Sequence, residues 1–288
     1  MRAPGGVGER GMIPFLRRAL LLVLIAALLC PADASARRYK KARARGGMGA
    51  VSAVLWDATA NRNYYAKSPD RQIFPASTTK VMTAILVLEN LSLDSYVTVN
   101  ERATHIQPTK LDLRVGEQYR VRDLLYGVLL KSANDAAIVL AEAVAGSEGK
   151  FVEQMNRRAR AIGARHTRFA NAHGLPSGAR QFSTARDMAL IFKEALKSDF
   201  FRRAITFKYR IIYSKDGRRH FLKSHNKSLF MDWKMDVYGK TGYTQEAQSC
   251  FVGYFARGNN TCIIAVFGAR KRWDDVKLII ERYGGVDL

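Results

Sequence analysis

The sequence of 288 residues is short of acidic side chains, cysteine and proline. Three cysteines are too few for a disulfide scaffold, and the lack of a CxxC or HExxH pair removes the commonest metal-site patterns. Seven prolines and 22 glycines exclude a collagen-like or low-complexity chain. The 48% of hydrophobic residues instead predicts a globular protein large enough to bury a catalytic cleft. The 47 Lys+Arg against 25 Asp+Glu give a formal net charge of +22.

The first 36 residues have the pattern of a secretory signal. Arginines precede an apolar run at 19–30, and a small-residue stretch follows that ends at Ala36. This order predicts export and cleavage after Ala36, since a spanning helix usually needs about 18 or more apolar residues. An uncleaved N-terminal anchor is the alternative. We therefore expect the protein in the periplasm or cell wall. Nucleic acid is scarce there, so we do not expect the positive charge to bind it.

A strongly basic segment follows the signal. Residues 37–46 hold six Lys/Arg in ten positions without an acid. One interpretation is a solvated linker over 37–47. The other is a tether to an anionic membrane or wall surface, where each basic residue contributes on the order of 1 kcal/mol. In both cases the folded domain is predicted over 48–288.

The hydrophobic period divides this domain into two lobes. Alternation typical of strands covers 50–57 and 63–67, a helical period begins at Pro75, and alternation returns after Ile205. Thr184 and Asp187 have the spacing of a capping box. Further helices are predicted at 122–131, 135–145, 150–162, 184–196 and 273–283, and further strands at 207–214, 219–224, 248–256 and 261–269. This order predicts an antiparallel sheet lobe (about 48–82 and 205–288) with an inserted helical lobe (about 83–204).

Two of the cysteines fall on one predicted hairpin. Its turn is expected at 257–260, with Ala256 opposite Thr261. Phe255 then lies opposite Cys262, and Cys250 points to the other face of the sheet. The register predicts two small buried thiols and no disulfide.

A serine and a lysine at the start of the first long helix are the candidate nucleophile and base. Ser77 and Lys80 are three residues apart and therefore share a helix face. An amine can activate a serine if burial or another cation lowers its pKa. The same spacing begins at Ser147 and Ser224, but Ser147 follows a predicted helix end and Ser224 ends a strand. Only Ser77 opens a long apolar helix, whose free N–H groups can bind a developing oxyanion.

Two further short motifs contain polar groups suited to a catalytic cleft. Ser132-Ala133-Asn134 lies between two predicted helices, and taken alone it favours a local helix cap. Lys240-Thr241-Gly242 is the only KTG in the chain and leads toward the strand at 248. Its Lys and Thr can face a carboxylate, while Gly242 allows close backbone approach.

In this order the motifs resemble those of the active-site-serine penicillin-recognising enzymes. Longer segments are similar to the low-molecular-mass D-alanyl-D-alanine carboxypeptidases of peptidase family S11, namely 74–80, 171–175, 183–189 and 240–244. The resemblance covers roughly residues 48–284. It implies an α/β fold of the α+β type, similar to β-lactamases and transpeptidases, with a five-stranded antiparallel sheet flanked by helices and an inserted helical lobe.

The resemblance also implies roles for the first two motifs. Ser77 would attack the carbonyl of a D-Ala-D-Ala bond in a peptidoglycan stem peptide, and Lys80 would take its proton. Ser132 would relay a proton to the leaving amine. Asn134 would orient Lys80 and the substrate amide.

For the third motif the resemblance implies binding. Lys240 and Thr241 would hold the terminal carboxylate, Gly242 is counted with them as substrate-binding, and Lys240 would also help to lower the pKa of Lys80. The backbone N–H groups of Ser77 and Tyr243 would form the oxyanion hole. Penicillins and other β-lactams would acylate Ser77 as covalent inhibitors, and neither a metal nor an organic cofactor is implied.

Three rival functions are weighed against this one. A class A β-lactamase normally carries Asp where this chain has Ala133, and it has an ExxLN loop that is absent between Asn134 and Lys240. A D,D-endopeptidase acting on cross-links stays open. A non-catalytic, basic wall-binding protein is disfavoured because Ser77, Lys80 and Lys240 are all present. His173 is expected to serve the architecture of its turn rather than to act as a base.

Overall fold

The computed structural model describes residues 48–288, in which five antiparallel strands form the main sheet. The predicted signal and basic segment lie outside these residues. In the order in which they lie side by side, the strands cover residues 62–67, 52–57, 260–269, 248–257 and 238–244. The strands are β1 (Ser52–Asp57), β2 (Arg62–Lys67), β7 (Tyr238–Thr244), β8 (Gln248–Arg257) and β9 (Asn260–Ala269). The predicted α/β fold with its five-stranded sheet is confirmed.

Alternation along the strands gives the sheet two buried faces, each covered by helices. Val54 joins the larger hydrophobic cluster on one face, and the next residue, Leu55, joins the smaller cluster on the other. The eight α-helices of residues 48–288 are α1 (Lys80–Asn90), α2 (Glu101–Thr104), α3 (Val121–Tyr126), α4 (Asn134–Ala145), α5 (Glu148–Ile162), α6 (Ala185–Ala195), α7 (Asp199–Ala204) and α8 (Arg272–Ile279). Helix α6 packs on the first face and α8 on the second. Within this part of the chain, no helix is both long and apolar enough to cross a bilayer.

The β8–β9 hairpin has the predicted register. Phe255 pairs with Cys262 and Ala256 with Thr261. Cys250 and Cys262 are buried free thiols in different hydrophobic clusters, on opposite faces of the sheet. The predicted absence of a disulfide between them is confirmed.

Helix ends follow their capping residues. Gly146 and Gly163 end α4 and α5 at positive φ angles of 75° and 94°, as glycine C-caps do. At the start of α6 the Thr184 side chain accepts a hydrogen bond from the Asp187 N–H at 3.0 Å. The capping box is only half formed, because the Asp187 carboxylate accepts from the His166 N–H instead.

Two features depart from the sequence pattern. The short strands β3 (Tyr96–Thr98) and β4 (Gln118–Arg120) pair within the stretch predicted as helical, where three residues are too few to display alternation. The predicted hairpin of β5 (Tyr209–Tyr213) and β6 (Arg219–Lys223) forms, but as a separate two-stranded sheet.

Candidate active site

The candidate nucleophile lies on a tight turn rather than in an α-helix. A 3-10 turn, Ala76–Thr79, begins with Ala76 at a φ of 47° and leads directly into α1. Lys80 is the first residue of α1 and is fully buried. Its Nζ lies 3.1 Å from the Ser77 Oγ, within hydrogen-bond distance. The predicted pair is therefore in direct contact.

The Lys80 amine is surrounded by neutral acceptors. Its Nζ donates to the Asn134 Oδ1 at 2.7 Å and to the backbone carbonyl oxygen of His173 at 2.6 Å. Burial, and after it the positive charge of Lys240, holds the pKa of Lys80 well below its usual value, while Asp135 acts in the opposite direction. A lysine in this environment can lose its proton and accept one from Ser77.

The Ser132-Ala133-Asn134 motif joins two helices at the cleft. A π-helical turn, Gly127–Lys131, ends at Ser132 in the left-handed conformation, with a φ of 63°. Asn134 then begins α4. Its Nδ2 donates to the Gln107 carbonyl oxygen at 2.9 Å, so its Oδ1 is left to face Lys80.

Strand β7 supplies the second lysine. Lys240 is 1% exposed, and its Nζ donates to the Ser132 Oγ and to the Thr241 carbonyl oxygen, both at 2.9 Å. Burial, followed by repulsion from Arg272, lowers the pKa of Lys240 to about 7. An amine that is about half protonated at pH 7 therefore lies behind the Ser132 hydroxyl.

Gly242 lets β7 approach the nucleophile. A Cβ added there would lie 3.0 Å from the Ser77 backbone nitrogen and 3.1 Å from the Ala76 Cβ. Such contacts are tighter than most side chains make, so a Cβ at this position would push β7 away from the Ser77 turn unless the neighbours shift. The close approach brings the backbone of β7 beside the Ser77 N–H.

All eight residues singled out in the sequence meet at one cavity of about 950 Å³. Five of them line it: Ser77, Ser132, Thr241, Gly242 and Tyr243. The other three, Lys80, Asn134 and Lys240, are buried behind this lining. Within residues 48–288, no cluster of three His, Cys, Asp or Glu side chains is placed to hold a metal ion.

Two residues of the cleft carried no sequence signal. Arg272 lines the cavity, and its Nη1 donates to the carbonyl oxygens of Gly242 and Cys250. Burial lowers its pKa to about 10, so it stays charged at neutral pH. His225 lines the same cavity, and burial together with nearby lysines lowers its pKa to about 4. Arg272 is one of 47 Lys and Arg residues, and His225 is an isolated histidine. Neither belongs to a sequence motif that would mark it as part of a site.

His173 contributes its backbone to the site. Its ring Nδ1 accepts from the Leu175 N–H at 3.2 Å, and burial lowers the ring pKa to about 3. The ring is thus neutral, with its Nδ1 bound inside its own turn and its Nε2 3.6 Å from the Glu148 Oε1, while the carbonyl oxygen binds Lys80. This geometry favours the architectural interpretation of His173.

An ion pair supports that turn from behind. Arg102 Nη2 lies 2.6 Å from the Glu148 Oε2, and the Glu148 Oε1 accepts from the Ala172 N–H at 3.0 Å. The Ala172 carbonyl oxygen in turn accepts from the Thr83 Oγ1 at 2.6 Å. The sequence did not point to this pair, because its partners are far apart along the chain.

Comparison with known proteins places this geometry in a family. The family model for D-alanyl-D-alanine carboxypeptidase, peptidase family S11, matches residues 39–271. The chain belongs to this family. It is 32% identical over 254 residues to the D-alanyl-D-alanine carboxypeptidase DacF of Bacillus subtilis, an alignment that covers 86% of this chain and 65% of DacF. The chain therefore spans about two thirds of the length of this relative.

Solved structures of carboxypeptidases and transpeptidases share the fold. The D-alanyl-D-alanine carboxypeptidase of Mycobacterium tuberculosis superposes with a TM-score of 0.78 at 28% identity, covering 84% of this chain and 93% of that one. The Streptomyces K15 DD-transpeptidase superposes with a TM-score of 0.77 at 29% identity, covering 84% and 99%. The S11 fold thus extends over nearly the whole described part of the chain.

Proposed function

We propose that the protein is a serine-type D-Ala-D-Ala carboxypeptidase that removes the terminal D-Ala from peptidoglycan stem peptides. One observation carries the proposal: the Ser77 Oγ lies 3.1 Å from a fully buried amine whose hydrogen-bond partners are all neutral. Burial lowers the pKa of this amine, so it gives up its proton more readily than an ordinary lysine and can act as the general base. Membership of the S11 family supports the same reaction.

The first half-reaction forms an acyl-enzyme. Lys80 takes the Ser77 proton while the Oγ attacks the carbonyl carbon of the D-Ala-D-Ala bond. The resulting oxyanion is bound by the backbone N–H groups of Ser77 and Tyr243. Ser132, held by the Lys240 Nζ, relays the proton that Lys80 took from Ser77 to the departing amine, so that Lys80 is neutral again and Ser132 is unchanged. D-Ala leaves, and water then hydrolyses the ester.

Recognition depends on the terminal carboxylate. Lys240 and Thr241 bind this carboxylate from β7. The guanidinium of Arg272 lines the same cavity and adds a positive charge. Asn134 holds Lys80 and offers its amide to the substrate. β-Lactams, whose carboxylate and amide imitate the stem terminus, acylate Ser77 and inhibit the enzyme.

The place of action follows from the substrate and from the N-terminal pattern. Peptidoglycan lies outside the cytoplasmic membrane, and residues 1–36 have the order of a secretory signal. We therefore assign the protein to the periplasm or cell wall. The basic segment at 37–47 is assigned to contact with an anionic membrane or wall surface.

The test is mass spectrometry of a stem pentapeptide incubated with the full chain, with a fluorescent penicillin as a second readout. We expect loss of one alanine and covalent labelling, and neither in Ser77→Ala. Ser147→Ala is the matched control, because Ser147 has the same Ser-x-x-Lys spacing but caps α5. It should retain both activities. An unchanged pentapeptide with folded wild-type protein would contradict the proposal.

A further inference from the structure

The β5–β6 hairpin exposes an unusual concentration of apolar side chains. Tyr209, Ile211, Tyr213 and Phe221 are between 39% and 53% exposed. They share one side of the hairpin, because Tyr209 pairs with Lys223, Ile211 with Phe221 and Tyr213 with Arg219. The six residues of these three pairs are called here the hairpin face. Exposed apolar patches of this kind mark interaction surfaces.

The rings of the hairpin face are held against one another. Tyr209 stacks on Phe221 with ring centroids 5.6 Å apart and an interplanar angle of 22°. It also meets the neighbouring Phe230 edge-on at 5.5 Å. Because these rings already support each other, a partner that lies on them orders few additional side chains, which lowers the entropic cost of binding.

The charge of the hairpin face is positive. Lys223 and Arg219 stand at its two ends, and within residues 48–288 neither has a carboxylate at ion-pair distance. The Lys223 Nζ lies 5.2 Å above the Phe230 ring. A partner that fits this surface combines negative charge with flat apolar faces.

The hairpin face continues into the active-site cleft. Phe221 and Lys223 line the 950 Å³ cavity together with Phe230 and Met231, on the same cavity that Ser132 borders. In the proposed reaction Ser132 gives a proton to the departing D-Ala. A partner bound to the hairpin face therefore lies next to the place that the D-Ala leaves, outside the segment of the stem that becomes attached to Ser77. Such a partner therefore belongs to a different polymer chain from the one that carries the stem being cut.

We propose that the hairpin face binds a second strand of the peptidoglycan polymer next to the strand whose stem is cleaved. Sugar rings supply flat faces for the aromatic residues, and stem carboxylates pair with Lys223 and Arg219. This inference rests on the proposed function. A bilayer would also offer apolar and anionic groups, but a flat membrane seated on Phe221 and Lys223 would cover the mouth of the cleft that these residues line.

The test uses side chains of the hairpin face that lie outside the cleft. In Ile211→Thr/Tyr213→Thr the β-branched replacements keep strand propensity while removing apolar contact. We expect co-sedimentation with purified insoluble peptidoglycan to weaken by roughly tenfold or more, with hydrolysis of a soluble pentapeptide unchanged. Arg219→Gln should weaken sedimentation less and make it less sensitive to salt. Val51→Thr, at an exposed apolar residue immediately before β1, is the control and should sediment as wild type.

The possible outcomes separate this inference from the proposed function. The basic segment at 37–47 is identical in all variants, so differences between them report the hairpin alone. Sedimentation of the double variant equal to wild type overturns the inference, as does loss of binding to anionic phospholipid vesicles with peptidoglycan binding intact. Wild-type protein that sediments through the hairpin face but leaves the pentapeptide uncut would contradict the carboxypeptidase instead.

Discussion

Two buried lysines lie behind the lining of the cleft, one next to Ser77 and one next to Ser132, and their surroundings give them different tasks. Lys80 adjoins the Ser77 hydroxyl and is held by neutral oxygens from Asn134 and His173. Lys240 lies behind Ser132, and its pKa is lowered to about 7 by burial and by Arg272. Lys80 is thus suited to take a proton, and Lys240 to attract a carboxylate.

Burial lowers the pKa of both lysines, and a series of cations adds to the effect. Arg272 keeps its charge and repels the proton of Lys240, and Lys240 in turn repels the proton of Lys80. Both lysines therefore lose their protons more readily than a lysine in water does. Both residues are lysines, so it is their neighbours, Ser77 for Lys80 and Ser132 for Lys240, that distinguish the base from the carboxylate-binding residue. Each prediction below alters one member of the series or its support.

The largest effect is expected from removing the base. Lys80→Met keeps the length of the side chain but eliminates its proton acceptor, so kcat/KM for a pentapeptide should fall by about 10³- to 10⁴-fold. Steady-state kinetics and the rate of penicillin acylation measure the loss. A variant within tenfold of wild type would show that another group activates Ser77.

The next effect sharpens the contrast by removing the carboxylate partner. Lys240→Met should lower kcat/KM by about 10²-fold or more, chiefly through KM, because a charge-assisted contact to the substrate is lost. The measurement compares a peptide acid with its C-terminal amide. Wild type should prefer the acid strongly, and Lys240→Met should prefer it little; an unchanged preference would assign the carboxylate to a different group.

Removing the charge of Lys240 should also change the pH profile. Without that repulsion the pKa of Lys80 rises, so the neutral form needed for catalysis appears only at higher pH. The acidic limb of kcat/KM should therefore move upward in Lys240→Met. An acidic limb at the wild-type position would break the proposed coupling between the two lysines.

A smaller effect is expected behind the His173 turn. Glu148 touches neither the cleft nor the substrate, but it accepts from the Ala172 N–H and so positions the turn whose carbonyl holds Lys80. Glu148→Ala should lower kcat by about tenfold with KM unchanged, and Glu148→Gln, which keeps an acceptor, should restore it. Glu142→Ala is the control, since Glu142 pairs with the same Arg102 but not with the turn. If Glu142→Ala lowered kcat as much as Glu148→Ala does, the effect would come from general stability and not from positioning of the His173 turn.

The smallest effect concerns the alkaline limb. Because the pKa of Lys240 is about 7, carboxylate binding and kcat/KM should weaken as the pH rises above that value. In Arg272→Gln the repulsion is removed, the pKa of Lys240 rises, and the decline should begin at higher pH. A pH profile of kcat/KM checks this, and an alkaline limb that does not move would contradict the role of Arg272.

Much of this arrangement was predictable from local pattern. The β8–β9 register followed from alternation and a turn, and the motif at Ser77 stood out because it opens a long apolar helix. What the sequence could not indicate are contacts made by backbone atoms or by isolated residues. The carbonyl oxygen of His173 and the guanidinium of Arg272 belong to the site only because the fold brings distant segments together.

The direct test of the central claim is the titration of Lys80 itself. Lysine labelled with ¹³C at Cε, followed by NMR as a function of pH and assigned with Lys80→Met, reports its pKa in the folded protein. We expect a midpoint well below the ordinary lysine value of about 10.4 and an upward shift in Lys240→Met. A Lys80 that titrates at its ordinary value in the wild-type protein would contradict its role as the base that activates Ser77.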